Sequence, residues 1–235
     1  MNYAVILSGG VGTRLGLDIP KQYYKVNGKF ILEYVIEKIE QNDSVGGYVI
    51  VAAPEWQQEI RAALKVDSKF LSFAEPGTNR QLSIYHGLLQ LKGIAAADDL
   101  VLIQDAARPN TSDELLNRCF NIKDSEDGAM PVLPMKDTVY LSRDGKRVDS
   151  LLNRQEIFAG QAPEAFRFGK YLCANEALLP DEILKINGST EPAIKAGMQI
   201  AMIAGDEHNY KITTKADLEQ FCREKNEELI GGENK

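Results

Sequence analysis

The sequence predicts an α/β fold: a Rossmann-like, mostly parallel sheet with helices on both faces and a protruding β-hairpin arm. Three observations carry that expectation. Short apolar runs alternate with amphipathic stretches along the chain, a glycine-rich loop follows the first run, and the alternation breaks once, around an Asp-Gly pair. In chain order, Ala4 to Ser8 reads as a buried strand, and residues 30–41 as a helix with apolar side chains at 31, 32, 35, 36 and 39. A second strand is expected at 48–53. Pro54 then opens a helix to Leu64, since a first-turn N–H has no helical partner to lose. A strand at 70–74, a helix at 79–91, a strand at 100–104, a helix at 115–122 and a strand at 129–133 continue the rhythm. Between 134 and 153 the β-prone runs Asp137 to Leu141 and Arg147-Val148 flank Asp144-Gly145, the signature of a hairpin. This arm either reaches a partner or is a solvated surface hairpin. A strand at 199–204 and a helix at 215–229 follow, the helix opened by a Thr214-x-x-Asp217 capping box, and the last five residues are expected to fray. The 235 residues suit a single domain carrying the arm.

Composition narrows the function. The net charge of −7, with no basic stripe, argues against a nucleic-acid partner. No apolar run approaches the roughly 18 residues that span a bilayer, and the N-terminal run lacks the basic flank of a signal peptide. Three scattered cysteines without metal-ligand spacing suggest a reduced, cytoplasmic protein, and two histidines cannot make a His-rich metal site.

The glycine-rich segment, Leu7 to Gly16 followed by Pro20-Lys21-Gln22, lies at the carboxyl end of the first expected strand, where α/β folds bind nucleotides. Glycine lets backbone N–H groups close on a phosphate. The spacing is neither that of a dinucleotide fold, since Gly10, Gly12 and Gly16 give GxGxxxG, nor that of a P-loop, since no Gly-Lys-Ser/Thr follows. What remains is a loop with Arg14 inside it and Lys21 seven residues on, two cations suited to a triphosphate, or else solvated loop residues.

Gly9-Gly-x-Gly-Thr-Arg-Leu-Gly-x-x-x-Pro-Lys-Gln22 resembles the signature of nucleotidyltransferases that make activated sugars and polyols. It is most similar to that of the enzymes attaching CMP to 2-C-methyl-erythritol 4-phosphate or ribitol 5-phosphate. The resemblance runs the length of the chain, through Pro76 to Ile84 with Gly87-Leu88, Asp105-Ala-Ala-Arg-Pro109, Asp137-Thr138, Arg154 with Gly160 to Phe166, and Asn209 to Thr214. It implies transfer of CMP from CTP to a small polyol phosphate with release of pyrophosphate. Arg14, Lys21 and Lys211 would neutralise the phosphates as the catalytic cations. Ser8, Gly9, Gly10, Gly12, Thr13, Gly77 and Ser83 would hold the nucleotide, with Arg80 either bracing its loop or touching phosphate. Asp105 would bind Mg²⁺, or serve only as a cap or turn residue. Arg108, Thr138 and Arg154 would face the acceptor, the last two from the neighbouring subunit of a homodimer built on the 134–153 arm.

The departures cluster on the acceptor side. Pro76 replaces a glycine, Ala162 a threonine, Glu164 a glutamine and Tyr140 a lysine, and Glu191 precedes a proline expected to limit a helix. The acceptor therefore stays open between methylerythritol phosphate, ribitol phosphate and another small phosphate or phosphonate of a surface polymer. Two other readings remain: a transferase of another nucleotide, and a non-catalytic nucleotide-binding regulator on the same fold.

Overall fold

The structure, a computed structural model, describes residues 1–10, 16 and 18–232. The strands are β1 (Asn2–Leu7), β2 (Lys25–Val26), β3 (Lys29–Phe30), β4 (Val45–Val51), β5 (Phe70–Ala74), β6 (Leu100–Asp105), β7 (Gly128–Pro134), β8 (Tyr140–Leu141), β9 (Ser150–Leu151), β10 (Phe158–Gly160), β11 (Glu164–Arg167) and β12 (Ile200–Ala204). The helices are α1 (Ile31–Gln41), α2 (Pro54–Ala63), α3 (Arg80–Leu91), α4 (Asp113–Phe120), α5 (Phe168–Glu176), α6 (Glu191–Lys195) and α7 (Lys215–Gly232). None is long and apolar enough to cross a membrane.

Among the described residues the main sheet has eight strands, running β5, β4, β1, β6, β11, β7, with β10 and β12 also paired to β7. β5, β4, β1 and β6 pair in parallel, as does β12 with β7. The expected parallel sheet is present, with one local difference. β10 and β11 run antiparallel to their neighbours, and β11 separates β6 from β7. Runs of three and four residues carry too little periodicity to announce themselves or their direction.

Alternation along the central strands sorts the core into two layers. Ala4, Ile6, Tyr48, Ile50 and Leu102 face α1, α2 and α4, whereas Tyr3, Val5, Val49, Val51, Val101 and Ile103 face α3 and α5. A parallel sheet buried on both faces needs apolar residues at successive positions, the feature that made these strands readable. α4 starts two residues before its expected position because Ser112 caps it, accepting from the Leu115 N–H at 3.3 Å. The Thr214 capping box is reciprocal: Asp217 Oδ2 accepts from the Thr214 N–H at 2.7 Å and Thr214 Oγ1 from the Asp217 N–H at 3.3 Å. Pro192 stands in the first turn of α6, so it opens a helix where the sequence suggested a limit. The arm is a short hairpin, β8 against β9, with Gly145 at φ +67° in its turn.

α3 lies unusually close to the sheet at Gly87, where a Cβ would meet the Val5 Cγ1 at 2.4 Å and the Val51 Cγ2 at 3.2 Å. Alanine there gains helix propensity of about 1 kcal/mol but overpacks a buried contact at a cost of about 1–3 kcal/mol. Gly87→Ala is therefore expected to lower the urea midpoint. A midpoint at or above wild type would show that α3 can move off the sheet.

Candidate functional site

The site forms at one edge of the sheet because register aligns four strand ends. Leu7 pairs with both Val51 and Asp105, and Val51 with Ala74, so β1, β4, β5 and β6 finish side by side. The segments leaving these ends carry Gly9-Gly10, Gly77 and Arg108. β11 runs the other way and so contributes its first residue, with Glu164 opposite Ile103.

Two residues after Lys21 brace the glycine-rich segment from below. Gln22 Nε2 donates to the carbonyls of Ser8 and Gly10, each at 2.7 Å, and Tyr23 Oη donates to the Ser8 carbonyl at 2.9 Å. Ser8 Oγ bonds Tyr23 Oη at 3.0 Å, so this expected nucleotide residue directs its side chain into the protein. Gly9 packs on Pro76, whose Cβ and Cγ would lie 2.6 Å from a Cβ added there. Pro76, read from the sequence as standing in place of a glycine, thus buttresses the first loop. Gly12, Thr13 and Arg14 lie outside the described residues.

The turn before α3 is held from within. Ser83 Oγ accepts from the Gly77 N–H at 3.0 Å and donates to the Asn79 carbonyl at 2.9 Å, and Asn79 caps α3 through the Leu82 N–H. Arg80 does not brace this turn. It crosses to Asp105, its Nη2 lying 2.9 Å from Oδ1.

Asp105 collects two further cations. Lys211 Nζ lies 2.9 Å from Oδ2 and Arg108 Nε 3.6 Å from the same oxygen. Lys211 arrives because the Ile212 N–H donates to the Ala107 carbonyl at 2.9 Å, and Arg108 Nη1 is fixed by the Asn209 carbonyl at 2.6 Å. Lys21 joins the same stretch, donating to the Ile212 carbonyl at 2.6 Å. Burial alone would raise the Asp105 carboxyl, but the Arg80, Lys211 and Arg108 charges outweigh it and hold the group well below the usual carboxylate range.

Arg80, Asp105, Arg108 and Lys211 line a cleft of about 350 Å³ together with Glu164 and residues 187–191. Glu164 was notable in the sequence only as a substitution; the structure makes it the second buried carboxylate of the cleft. Nothing in its short, mixed stretch signalled this, because its place depends on strand direction. Burial pushes its carboxyl up, against opposing hydrogen bonds from Ser189 and Thr190 and the Arg80 charge. A larger cleft of about 490 Å³ beside α7 is lined by Leu218, Tyr24 and Cys222, and the cationic cluster is not part of it. Thr138 and Arg154 are exposed on the arm and do not border the cationic cleft; Arg154 donates to the Lys136 carbonyl at 2.8 Å. Within one chain the cationic cluster is therefore built from Arg80, Asp105, Arg108 and Lys211, with Glu164 bonded instead to Ser189 and Thr190 and the arm residues apart.

Known proteins share this arrangement's framework. A family model described as IspD, 2-C-methyl-D-erythritol 4-phosphate cytidylyltransferase, matches residues 2–221. A 2-C-methyl-D-erythritol 4-phosphate cytidylyltransferase of Geobacter metallireducens is 33% identical over 232 residues, covering 95% of this chain and 98% of its own. Two crystal structures superpose over nearly the whole chain. The 4-diphosphocytidyl-2C-methyl-D-erythritol synthase of Anaerococcus prevotii is 25% identical with a TM-score of 0.80, covering 96% of this chain and 95% of that one. The Francisella tularensis 2-C-methyl-D-erythritol 4-phosphate cytidylyltransferase is 27% identical with a TM-score of 0.77, covering 94% and 98%.

Removing the central negative charge should leave Arg80, Arg108 and Lys211 repelling one another. Asp105→Asn is expected to cost about 2–3 kcal/mol at neutral pH, less than a fully buried pair because Arg80 and Lys211 are 34% and 35% exposed. A carboxyl depressed in the folded state contributes its stability above its unfolded pKa of about 3.9 and loses it as pH falls through the lower folded value. The gap between wild type and variant in urea titrations should hold from about pH 8 to pH 5 and close only below about pH 4. A gap that closes already near pH 6 contradicts this account of Asp105.

Proposed function

We propose, for a chain that belongs to the 2-C-methyl-D-erythritol 4-phosphate cytidylyltransferase family, transfer of CMP from CTP to 2-C-methyl-D-erythritol 4-phosphate with release of pyrophosphate. The observation that carries this reading is the convergence of Arg80, Arg108 and Lys211 on Asp105 at the sheet edge that also bears the glycine-rich segment. An oxygen of the acceptor phosphate attacks the α-phosphorus in line, a P–O bond forms, and the bond to the β-phosphate oxygen breaks to free pyrophosphate. The nucleophile is already ionised at neutral pH and needs no general base. The barrier lies in bringing two anions together and stabilising the charge of the pentacoordinate state, so fixed cations supply most of the rate.

Lys21, Lys211 and Arg14 are assigned to the triphosphate and the α-phosphate. Gly9, Gly10, Gly12 and Thr13 offer backbone groups to the nucleotide, with Ser8 anchoring their loop from beneath. Gly77 and Ser83 shape the turn that receives cytosine; the Ser83 hydroxyl keeps one lone pair beyond its two internal bonds. Arg108 faces the acceptor phosphate across the cleft.

Asp105 fits a divalent cation by donor chemistry. Among the described residues no group of three or more His, Cys, Asp or Glu could hold a metal, so beside Asp105 the substrate phosphates would supply most of the ligands. That sharing suits Mg²⁺, a hard cation that takes one or two carboxylates with phosphate and water oxygens. When bound, the ion neutralises triphosphate charge; Arg80 and Lys211 balance Asp105 on the protein side.

The arm supports a homodimer acting in the cytoplasm on small molecules. Tyr140, Val148 and Leu151 expose apolar surface on the arm, as do Phe158 and Met202 on the neighbouring sheet edge. Thr138 and Arg154, away from their own cleft, are assigned to the acceptor pocket of a second copy. Ala162 offers no hydroxyl to that pocket, and ribitol 5-phosphate is the acceptor to test beside methylerythritol phosphate.

Pyrophosphate release with CTP, Mg²⁺ and either acceptor tests the reaction. Lys211→Ala and Lys21→Ala are each expected to lower kcat by about a hundredfold or more; turnover within threefold of wild type removes the role assigned to that lysine. If the arm acts between subunits, Lys21→Ala and Arg154→Ala chains refolded together should recover about a quarter of the wild-type turnover per dimer, because half the dimers then contain one intact site. Recovery no greater than the sum of the separate variants places Arg154 in its own chain's chemistry.

A further inference from the structure

One stretch of the cleft wall, residues 188–190, belongs to no strand and precedes a helix of only five residues. It is held instead by buried side chains. Glu164 divides its carboxylate between two hydroxyls of this wall: Ser189 Oγ donates to Oε2, and Thr190 Oγ1 donates to Oε1 at 3.0 Å. The Ser189 carbonyl accepts from Tyr171 Oη at 2.7 Å. Tyr171 Oη accepts in turn from Gln81 Nε2 at 3.2 Å, and Gln81 also donates to Asn175 Oδ1 at 2.6 Å. Gln81 follows Arg80 in the first turn of α3, next to the segment assigned to the nucleotide. An unbroken chain of buried hydrogen bonds thus links the nucleotide side of the cleft to its acceptor side. Burial raises the Tyr171 phenol, so its hydroxyl stays a donor, and its ring stacks on Phe166 at 4.0 Å.

A carboxylate in an anion-binding cleft repels its ligand unless its charge is engaged. Here both oxygens are taken by hydroxyls, and the Arg80 and Arg108 charges bear on the group. An amide of the same length can keep both contacts, accepting from one hydroxyl and donating to the other, whereas a shortened side chain loses both. Fully satisfied buried networks specify one geometry, and half-satisfied ones do not.

We propose that Glu164 and Tyr171 are positioning residues that hold the Ser189–Thr190 wall in register with the first turn of α3, so that the acceptor pocket takes its shape from the nucleotide site. The proposal rests on the reading that this cleft receives the phosphate acceptor. The test is steady-state kinetics in both substrates, with hydrogen exchange of residues 187–191, on Glu164→Ala, Glu164→Gln and Tyr171→Phe. The alanine and phenylalanine variants should raise the acceptor KM on the order of tenfold, leave the CTP KM and kcat within about twofold, and speed exchange at 187–191. The glutamine variant keeps most of the contacts and should restore both readouts to near wild type. An acceptor KM unchanged in the alanine and phenylalanine variants, or a parallel loss in kcat and CTP KM, overturns the proposal. If Glu164→Ala fails to fold, Tyr171→Phe, which keeps the stacked ring, decides. If wild type turns over no acceptor, the functional reading fails, and exchange at 187–191 alone decides the positioning role.

Discussion

Three cations share one carboxylate at the carboxyl edge of the sheet, and the rest of the site depends on that contact. Two unit charges about 4 Å apart in a setting of effective dielectric about 20 interact by about 4 kcal/mol, so Arg80, Arg108 and Lys211 could not be held together without a counter-charge. Asp105 supplies it from the last position of β6, where register places it beside the end of β1. The carboxylate keeps the cluster assembled, and in the proposed reaction the phosphates of CTP and acceptor take over part of its work. A site arranged in this way is organised before substrate arrives, which is where electrostatic catalysis gains its advantage over water.

The sheet delivers the parts by two different routes. The parallel strands offer their ends, and the loops that leave them hold the glycine-rich segment, the Gly77 turn and Asp105 with Arg108. The antiparallel β11 offers its beginning, and with it a carboxylate that secures a stretch of the cleft wall. The cleft is thus lined by a cationic cluster and by a stretch of hydroxyls held by Glu164. The arm carries Thr138 and Arg154 away from both.

Much of this was legible in the sequence. Strands and helices were readable because periodicity belongs to contiguous residues: Val5, Val49 and Val101 fill one face of the sheet while Ala4, Tyr48 and Leu102 fill the other. The glycine-rich segment, Asp105 and Lys211 stood out through a resemblance carried by motifs in order along the chain. Arg80 was visible, but its partner was not, since nothing near it in sequence names Asp105. Glu164 appeared only as an exchange of amide for acid. β10 and β11 were missed because three or four residues with mixed polarity fix neither an element nor its direction. Pro192 was misread as a stop because the same residue opens helices and ends them, and position within the element decides which.

The sequence by itself determined the type of most elements, the order of the glycine-rich and acidic segments, and the family to which they point, all of which depend on neighbouring residues. Strand order, register and the reversal of β11 belong to the tertiary structure alone, since they are set by packing between residues far apart in the chain. Those three features bring Arg80, Lys211 and Glu164 to the same cleft as Asp105, and they turn a set of motifs into a site.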